Sequence, residues 1–246
     1  MNKLSGKVAL VTGSSRGIGR AIAEQLAELG ADVVINYASR PDKAEEIAEI
    51  VRQKGVRAIT VQADLARKED VERLFSQTIS ELGKVDILIN NAGIMKTTPL
   101  AEVTEEEFDQ QFAINVKGTF FACQQALKHM EDGGRIVNFS TSVTGQMFPN
   151  YSVYAGTKGA VEQITRQLAK EFGSKQITIN AVAPGPVNTE LFSVGKTEQQ
   201  LEGIRKMNAF GRLGEPEDIA SVISFLVGTD SQWVTGQTIR VNGGFI

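Results

Sequence analysis

The chain has 246 residues, of which 41% are hydrophobic and 22% are charged, and its formal net charge is −3. This composition is typical of a globular protein with a sizeable core, and the charge gives no electrostatic reason to expect binding to nucleic acid or to an anionic membrane. No apolar run reaches the ~20 residues of a membrane helix, and the single cysteine, Cys123, suits a reducing compartment, so we expect a cytoplasmic protein with neither a nucleic acid nor a membrane as partner.

Short apolar runs alternate with amphipathic stretches along the chain, a pattern that predicts alternating strands and helices. We predict seven strands, over 7–12, 32–37, 58–62, 85–90, 135–139, 177–182 and 238–241. The predicted helices that alternate with them lie over 20–29, 41–54, 68–82, 104–130, 152–173 and 216–227. An irregular or weakly helical segment over 184–210 follows the sixth strand. This alternation is typical of a parallel sheet covered by helices on both faces. The sequence therefore predicts an α/β fold: one doubly wound Rossmann domain over residues 1–246, with about seven parallel strands.

A glycine-rich turn links the first strand to the first helix, with the spacing Gly13-x-x-x-Gly17-x-Gly19. Glycines let the backbone approach a pyrophosphate closely, and the amides at a helix N-terminus bind that anion. The alternative is a purely structural glycine turn. The cofactor-binding residues predicted in this loop are Gly13, Ser15, Arg16, Gly17, Ile18 and Gly19.

The end of the second strand bears on the choice between NAD and NADP. A carboxylate there would bind the ribose 2′-hydroxyl and repel a 2′-phosphate, and residues 36–40 contain none. Arg16 and Arg40, with the Ser39 hydroxyl, suit a phosphate dianion. We therefore expect NADP(H) as the cofactor, with Tyr37 beside it, the alternative being that both arginines are solvated surface residues.

Tyr154 and Lys158 lie four residues apart in a predicted helix and therefore share one of its faces. A phenol has a reference pKa of about 10, and a nearby ammonium lowers it by favouring the phenolate. The pair thus predicts a proton donor and acceptor that works near neutral pH. Alone this spacing is weak evidence, because it also occurs by chance on exposed helix turns.

Taken together, these motifs resemble the short-chain dehydrogenase/reductase family over essentially the whole chain, and in particular its 3-oxoacyl-[acyl-carrier-protein] reductase-like members. The resemblance is carried by TGSSRGIG at 12–19, Asp64-Leu65, NNAG at 90–93, Asn115, a serine near 142, Tyr154-x-x-x-Lys158, and Pro184-Gly185 followed by Thr189. It implies NADPH-dependent reduction of a ketone or aldehyde, with a 3-oxoacyl thioester as one candidate substrate.

The resemblance also implies roles for individual residues. Tyr154 would be the general acid, Lys158 would bind the nicotinamide ribose, Ser142 would polarise the substrate carbonyl, and Asn115 would hold a water that passes protons to Lys158. Further cofactor contacts implied are Asp64, Leu65, Asn91, Ala92, Gly93, Tyr154, Lys158, Pro184, Gly185, Val187 and Thr189. From spacing alone, Asp64 is equally well explained as a turn residue.

The active-site hydroxyl has two candidates. Ser142 fits the family pattern Ser-x-x-Gly, because Gly145 follows it, but it lies twelve residues before Tyr154. Thr141 lies at the usual thirteen but breaks that pattern. We choose Ser142, because the glycine fixes the loop after the hydroxyl whereas loop length varies easily.

The segment from 186 to 212 follows the sixth predicted strand and has the length and position of a substrate lid. Its apolar residues, together with Met147, Phe148 and Tyr151, predict an apolar substrate pocket, although they equally suit packing of the segment onto the domain. The apolar residues of the segment are Leu191, Phe192, Val194, Leu201, Ile204, Met207 and Phe210. No cluster has metal-ligand spacing, so no catalytic metal is predicted.

Two functions of different class remain open: a carbonyl reductase, and a non-catalytic sensor or scaffold that binds the dinucleotide. The complete set of Asn115, Ser142, Tyr154 and Lys158 favours the enzyme. The family resemblance also implies a homotetramer, or a homodimer, built on the helices over 104–130 and 152–173. Their extra apolar residues agree with such an assembly: Phe112, Phe120, Phe121, Val161 and Ile164.

Overall fold

Seven parallel strands form the centre of the molecule in the computed structural model, which describes residues 3–246. The strands are β1 (Val8–Val11), β2 (Asp32–Tyr37), β3 (Ala58–Gln62), β4 (Ile87–Asn90), β5 (Arg135–Phe139), β6 (Thr178–Pro184) and β7 (Thr238–Val241). Their order in the sheet is β3-β2-β1-β4-β5-β6-β7, and every neighbouring pair is parallel. The predicted doubly wound α/β fold is confirmed.

Helices cover both faces of this sheet. They are α1 (Gly17–Glu28), α2 (Pro41–Arg52), α3 (Lys68–Leu82), α4 (Glu105–Phe112), α5 (Thr119–His129), α6 (Ser152–Phe172), α7 (Glu190–Ser193), α8 (Glu198–Lys206) and α9 (Pro216–Val227). Helices α1, α2 and α9 pack on one face, and α3, α5 and α6 pack on the other. No helix within residues 3–246 has the length and apolarity to cross a membrane.

Strand β1 shows why the sequence of a central strand is apolar at every position. Ala9 and Val11 belong to the core under α1 and α9, whereas Val8 and Leu10 belong to the core on the opposite face. All four are buried, because each successive side chain points to the other face of the sheet.

The only cysteine lies inside the second of these cores. Cys123 is 1% exposed, and its sulfur lies 3.5 Å from Asn90 Nδ2 and 3.7 Å from Asn138 Oδ1. Burial raises the pKa of the thiol to about 12. The thiol is therefore protonated and shielded at neutral pH.

The sheet order reverses direction at β1, since β2 lies on one side of this strand and β4 on the other. Ligands of doubly wound sheets bind at such a reversal, beyond the carboxyl ends of the strands. The loops that leave β1, β4, β5 and β6 all open at this edge. The fold thus gathers the glycine turn, residues 91–93, residues 140–145 and residues 185–189 around one cleft.

Several predicted boundaries differ from the structure by one or two residues, and three elements differ by more. Helix α1 begins at Gly17 rather than at residue 20, so the glycine loop supplies its first turn. The continuous helix predicted over 104–130 is interrupted by a π-helical turn, Ala113–Gly118, which contains Asn115. The irregular segment over 184–210 contains two short helices, α7 and α8, and β6 extends through Pro184.

Candidate active site

The glycine loop after β1 is packed too closely for side chains. Gly13 has a φ of +62°, and a Cβ atom there would lie 2.9 Å from Ala92 Cα. A Cβ atom on Gly19 would lie 2.5 Å from Asn91 Nδ2, which itself donates a hydrogen bond to Thr12 O at 2.8 Å. The loop is therefore held against residues 91–93, and its outer side remains open to the cleft.

A groove with a cavity volume of about 260 Å³ runs along this loop. Every cofactor-binding residue predicted from the first four strand ends lines it: Gly13, Ser15, Arg16, Gly17, Ile18, Gly19, Tyr37, Ser39, Arg40, Asp64, Leu65, Asn91, Ala92 and Gly93. Six further lining residues were not predicted: Asn36, Ala38, Ala63, Ile94, Ile114 and Glu190. The close backbone packing and the adjoining start of α1 fit the pyrophosphate of a dinucleotide.

Four charged residues line the groove: Arg16, Arg40, Asp64 and Glu190. Arg40 is exposed and directly precedes α2. Arg16 forms an ion pair with Glu190, with 3.1 Å between Nη1 and Oε2, and both side chains are more than half exposed. Asn36, at the end of β2, is buried and accepts a hydrogen bond from Gly13 N at 3.0 Å. Both arginines therefore lie at the groove, but one already has a carboxylate partner.

Asp64 forms a turn and also lies at the groove, and its contact with a cofactor stays a prediction. Its Oδ1 accepts a hydrogen bond from Ala66 N at 3.0 Å, as in a turn, and its side chain also lines the groove. Its backbone amide donates to Asp70 Oδ2 at 2.9 Å. This hydrogen bond, with Arg73, holds the pKa of Asp70 below its ordinary value.

A second cavity, of about 460 Å³, adjoins the groove. The remaining predicted site residues except Asn115 line it: Ser142, Tyr154, Lys158, Pro184, Gly185, Val187 and Thr189. The two cavities share the lining residues Ile18, Asn91, Gly93, Ile94, Thr189 and Leu191. Groove and cavity therefore form one continuous cleft. Tyr154 and Lys158 line the cavity and not the groove.

Burial governs the protonation of the tyrosine–lysine pair. It raises the pKa of Tyr154 to about 12 and lowers the pKa of Lys158 to about 8. The Lys158 ammonium donates to Phe139 O at 2.8 Å and lies 5.9 Å from the centre of the Tyr154 ring. The expected lowering of the tyrosine pKa is therefore not seen in the protein alone, because desolvation is the largest influence and only Thr141 opposes it. Tyr154 is a neutral phenol at pH 7.

The two candidate hydroxyls have different partners. The Thr141 hydroxyl lies near the Tyr154 phenol and opposes the upward shift of the tyrosine pKa, and its oxygen accepts a hydrogen bond from Val143 N at 3.3 Å. The Ser142 hydroxyl donates to Ala183 O at 3.1 Å and accepts from Asn242 Nδ2 at 3.0 Å. Both residues line the cavity. The choice of Ser142 for the substrate carbonyl stays a prediction.

The side chain of Asn115 is fully occupied by protein partners. Its Oδ1 accepts from Ile94 N at 2.9 Å, and its Nδ2 donates to Ile94 O at 2.9 Å and to Thr157 Oγ1 at 3.1 Å. These contacts fix the loop after β4 against α6. A Cβ atom on Gly93 would lie 3.4 Å from Lys158 Nζ and 3.2 Å from Asn115 Oδ1, so Asn115 also lies beside the lysine. The role of Asn115 in holding a water stays a prediction.

Aromatic rings form one wall of the larger cavity. Phe245 stacks on Phe148 with 6.1 Å between ring centres, Phe148 lies 5.6 Å from Tyr151, and Tyr151 lies 6.4 Å from Tyr154. Phe245 was not predicted, because no local motif links residue 245 to residues 148–154. Met147, predicted for this wall, is 98% exposed and does not line the cavity.

The segment over 186–212 covers the opposite side of the cavity. Leu191, Phe192, Ile204 and Met207 line it as predicted, together with Lys196, which was missed. Val194 and Phe210 are 70% and 74% exposed, and neither lines the cavity. Within residues 3–246 no group of three or more His, Cys, Asp or Glu residues is arranged to hold a metal.

Comparison with known proteins agrees with this geometry. A family model described as enoyl-(acyl carrier protein) reductase matches residues 13–246. A short-chain type dehydrogenase/reductase of Picea abies is 45% identical over 98% of this chain and 93% of its own, and elsinochrome reductase 1 of Elsinoe fawcettii is 42% identical over 98% and 95%. The crystal structure of the angucycline C-6 ketoreductase LanV with bound NADP superposes with a TM-score of 0.93 at 43% identity, over 99% of this chain and 96% of that one. The chain belongs to the short-chain dehydrogenase/reductase family.

Proposed function

We propose that this protein reduces a ketone to an alcohol with NADPH. The observation that carries the proposal is the continuous cleft, in which a dinucleotide groove leads directly to a neutral phenol, a buried ammonium and two hydroxyls. Ketoreductases are among the relatives, and LanV was solved with NADP. Both support the same chemistry.

Tyr154 is the proton donor in this proposal. The reduced nicotinamide supplies the hydride when NADPH is bound. As the carbonyl carbon gains that hydride, its oxygen takes the phenolic proton of Tyr154, so the products are the alcohol, NADP⁺ and a tyrosinate. The raised pKa keeps the phenol protonated before the reaction, and the ammonium of Lys158 stabilises the tyrosinate afterwards.

The hydroxyls of Ser142 and Thr141 have different roles in this proposal. We assign polarisation of the substrate carbonyl to Ser142, because the hydrogen bond from Asn242 to its oxygen makes its own proton a better donor. To donate to substrate, Ser142 turns away from Ala183 O. Thr141 then orients the Tyr154 phenol, because its hydroxyl lies beside that phenol.

The preference for NADPH over NADH rests on the two arginines at the groove. Arg16 and Arg40 lie where the 2′-phosphate of the adenosine ribose would be bound, and no acidic residue among residues 36–40 repels it. Glu190 forms an ion pair with Arg16, but an exposed ion pair is weak. The 2′-phosphate dianion can therefore replace Glu190 as the partner of Arg16.

We infer an apolar, largely aromatic ketone as the substrate. The aromatic wall of Phe148, Tyr151 and Phe245 suits a flat ring system. The relatives named for elsinochrome and angucycline reduction point the same way. A 3-oxoacyl thioester stays the second candidate, and segment 186–212 is proposed as the lid over either substrate.

A substrate screen tests the proposal against a sensor or scaffold. Purified protein would be given NADPH with 1-tetralone, 1,4-naphthoquinone, ethyl acetoacetate, a 3-oxoacyl thioester and an enoyl thioester, and NADPH absorbance would be followed. We expect turnover of at least one ketone, and a fall in kcat of roughly 10²–10⁴ in Tyr154→Phe. Tight NADPH binding without turnover of any compound would favour the sensor.

The proposed assembly is a homotetramer, as in the family resemblance, with a homodimer as its simpler alternative. Phe108 and Phe120, on α4 and α5, are 44% and 42% exposed in the single chain and so offer apolar surface for a partner copy. Val161 is fully buried in the protomer and cannot contribute. Cytoplasmic location likewise stays a prediction.

A further inference from the structure

The charged residues that line the larger cavity are both positive. Among its lining residues, all within the described part of the chain, only Lys158 and Lys196 are charged. The whole chain carries a net charge of −3, so this local sign is opposite to that of the protein. An electropositive, mostly apolar cavity favours a substrate that brings a negative group.

Lys196 lies in the turn between α7 and α8 and is half-buried. Its ammonium donates to Phe192 O and lies 4.3 Å from the centre of the Phe192 ring. Burial lowers the pKa of this lysine. Within residues 3–246 no carboxylate lies in ion-pair range of it, and Phe192 O is the only hydrogen-bond acceptor it reaches, which leaves two of its three N–H donors for other use.

A structural role at the end of α7 does not account for this placement. A lysine that only satisfies the last carbonyl of a short surface helix can keep its ammonium in water. Lys196 instead lines the cavity, at a cost in hydration. Lys158 is not equivalent, since it donates to Phe139 O and lies beside Tyr154 at the reacting end.

We propose that Lys196 binds an anionic group of the substrate, a carboxylate or an ionised phenol, while the carbonyl lies at Tyr154. The preferred substrate is then an aromatic ketone with one negative substituent. This inference rests on the proposed function, since it names the substrate class of the same site. The ammonium would form a charge-assisted hydrogen bond with that substituent in a partly desolvated setting.

The test uses matched substrates and matched variants. The substrates are 6-carboxy-1-tetralone against its methyl ester, and 6-hydroxy-1-tetralone against its methyl ether, which separate carboxylate from phenolate recognition. The variants are Lys196→Met, Lys196→Arg and, as a control for overall charge, Lys206→Met. Lys206 is exposed on α8 and does not line the cavity.

We expect the wild type to favour the acid over the ester in kcat/KM by about tenfold or more, equivalent to one hydrogen bond of about 1.4 kcal/mol. Lys196→Met should abolish this preference, whereas Lys196→Arg and Lys206→Met should keep it. An acid-to-ester ratio that is unchanged in Lys196→Met, or reduced equally in Lys206→Met, would overturn the proposal.

Calorimetric binding of the same four compounds to the protein saturated with NADP⁺ separates this inference from the proposed function. If no compound is turned over but the acid binds more tightly than the ester in a manner that depends on Lys196, the subsite stands and the reductase proposal fails. If acid and ester bind equally and both are turned over, the reductase proposal stands and the Lys196 subsite is ruled out.

Discussion

Asn242 donates a hydrogen bond to Ser142 at 3.0 Å, although the two residues are 100 positions apart in the chain. The same amide group uses its oxygen to accept from Gly244 N at 3.1 Å, so its orientation is fixed. Asn242 directly follows β7, and its Cα lies 2.8 Å from where a Cβ on Gly185 would stand. The residue after the last strand thus positions a hydroxyl in the loop that follows β5, at the same edge of the sheet.

This hydrogen bond gives the first prediction. In Asn242→Asp the shape of the side chain and the acceptor for Gly244 are kept, but the donor to Ser142 is lost. We expect kcat for ketone reduction to fall roughly tenfold, less than for loss of the hydroxyl itself, with Kd for NADPH within twofold of the wild type. Full kcat in this variant would mean that Ser142 does not depend on Asn242.

The second prediction separates Ser142 from Thr141. Ser142→Ala should lower kcat by roughly 10²–10³, the usual effect of removing one donor to a developing oxyanion. Thr141→Val keeps the shape of the side chain and removes the hydroxyl beside Tyr154, so kcat should fall by a smaller factor. Steady-state kinetics of both variants on one ketone give the two kcat values. A larger fall in Thr141→Val than in Ser142→Ala would assign polarisation of the carbonyl to Thr141.

The third prediction concerns pH. For NADPH as the first substrate, kcat/KM reports the groups of the free enzyme. Lys158 has its pKa lowered to about 8, so its ammonium is lost as the pH rises through that value, and kcat/KM should decline above pH 8. Tyr154, with a pKa of about 12, stays protonated and adds no decline below about pH 10.

Lys158→Arg provides the control for this profile. A guanidinium stays charged to well above pH 10, so the decline near pH 8 should disappear, whatever the absolute rate of the variant. A wild-type profile that is flat from pH 6 to 10 would contradict the assignment to Lys158.

The fourth prediction concerns the ion pair between Arg16 and Glu190. Glu190→Gln removes the competitor for Arg16 and should tighten NADPH binding about twofold to fivefold, since an exposed pair is worth roughly 1 kcal/mol or less. NADH lacks the 2′-phosphate and should bind with unchanged Kd. Fluorescence titration of both nucleotides measures the effect.

Arg40→Met is the matched change on the other side of the groove. It removes one charge from the proposed phosphate site and should weaken NADPH about tenfold while leaving NADH unaffected. Tighter binding of NADH than of NADPH by the wild type would reverse the cofactor assignment.

Much of the nucleotide site was predictable because its determinants are local. Gly13, Gly17 and Gly19 lie within one turn, between an apolar run and an amphipathic helix, and the structure places all three at the groove. Tyr154 and Lys158 share a helix face for the same reason. In each case the spacing along the chain fixes the spacing in space.

The parts that sequence analysis missed depend on the environment or on distant pairing. The pKa of Tyr154 rises because the surrounding protein excludes water, a property that no tyrosine–lysine spacing encodes. Phe245 and Asn242 reach the site only because β7 lies beside β6. The π-helical turn at Asn115 adds a residue to one turn without a proline or any other local signal.

The buried state of Cys123 makes the chain a convenient host for a single reporter group. Its protonated, shielded thiol should be inert to maleimide reagents in the folded protein. A cysteine introduced in place of Val194, which is 70% exposed between α7 and α8, would then carry the label alone. Fluorescence from that position would report how segment 186–212 moves as nucleotide and ketone bind.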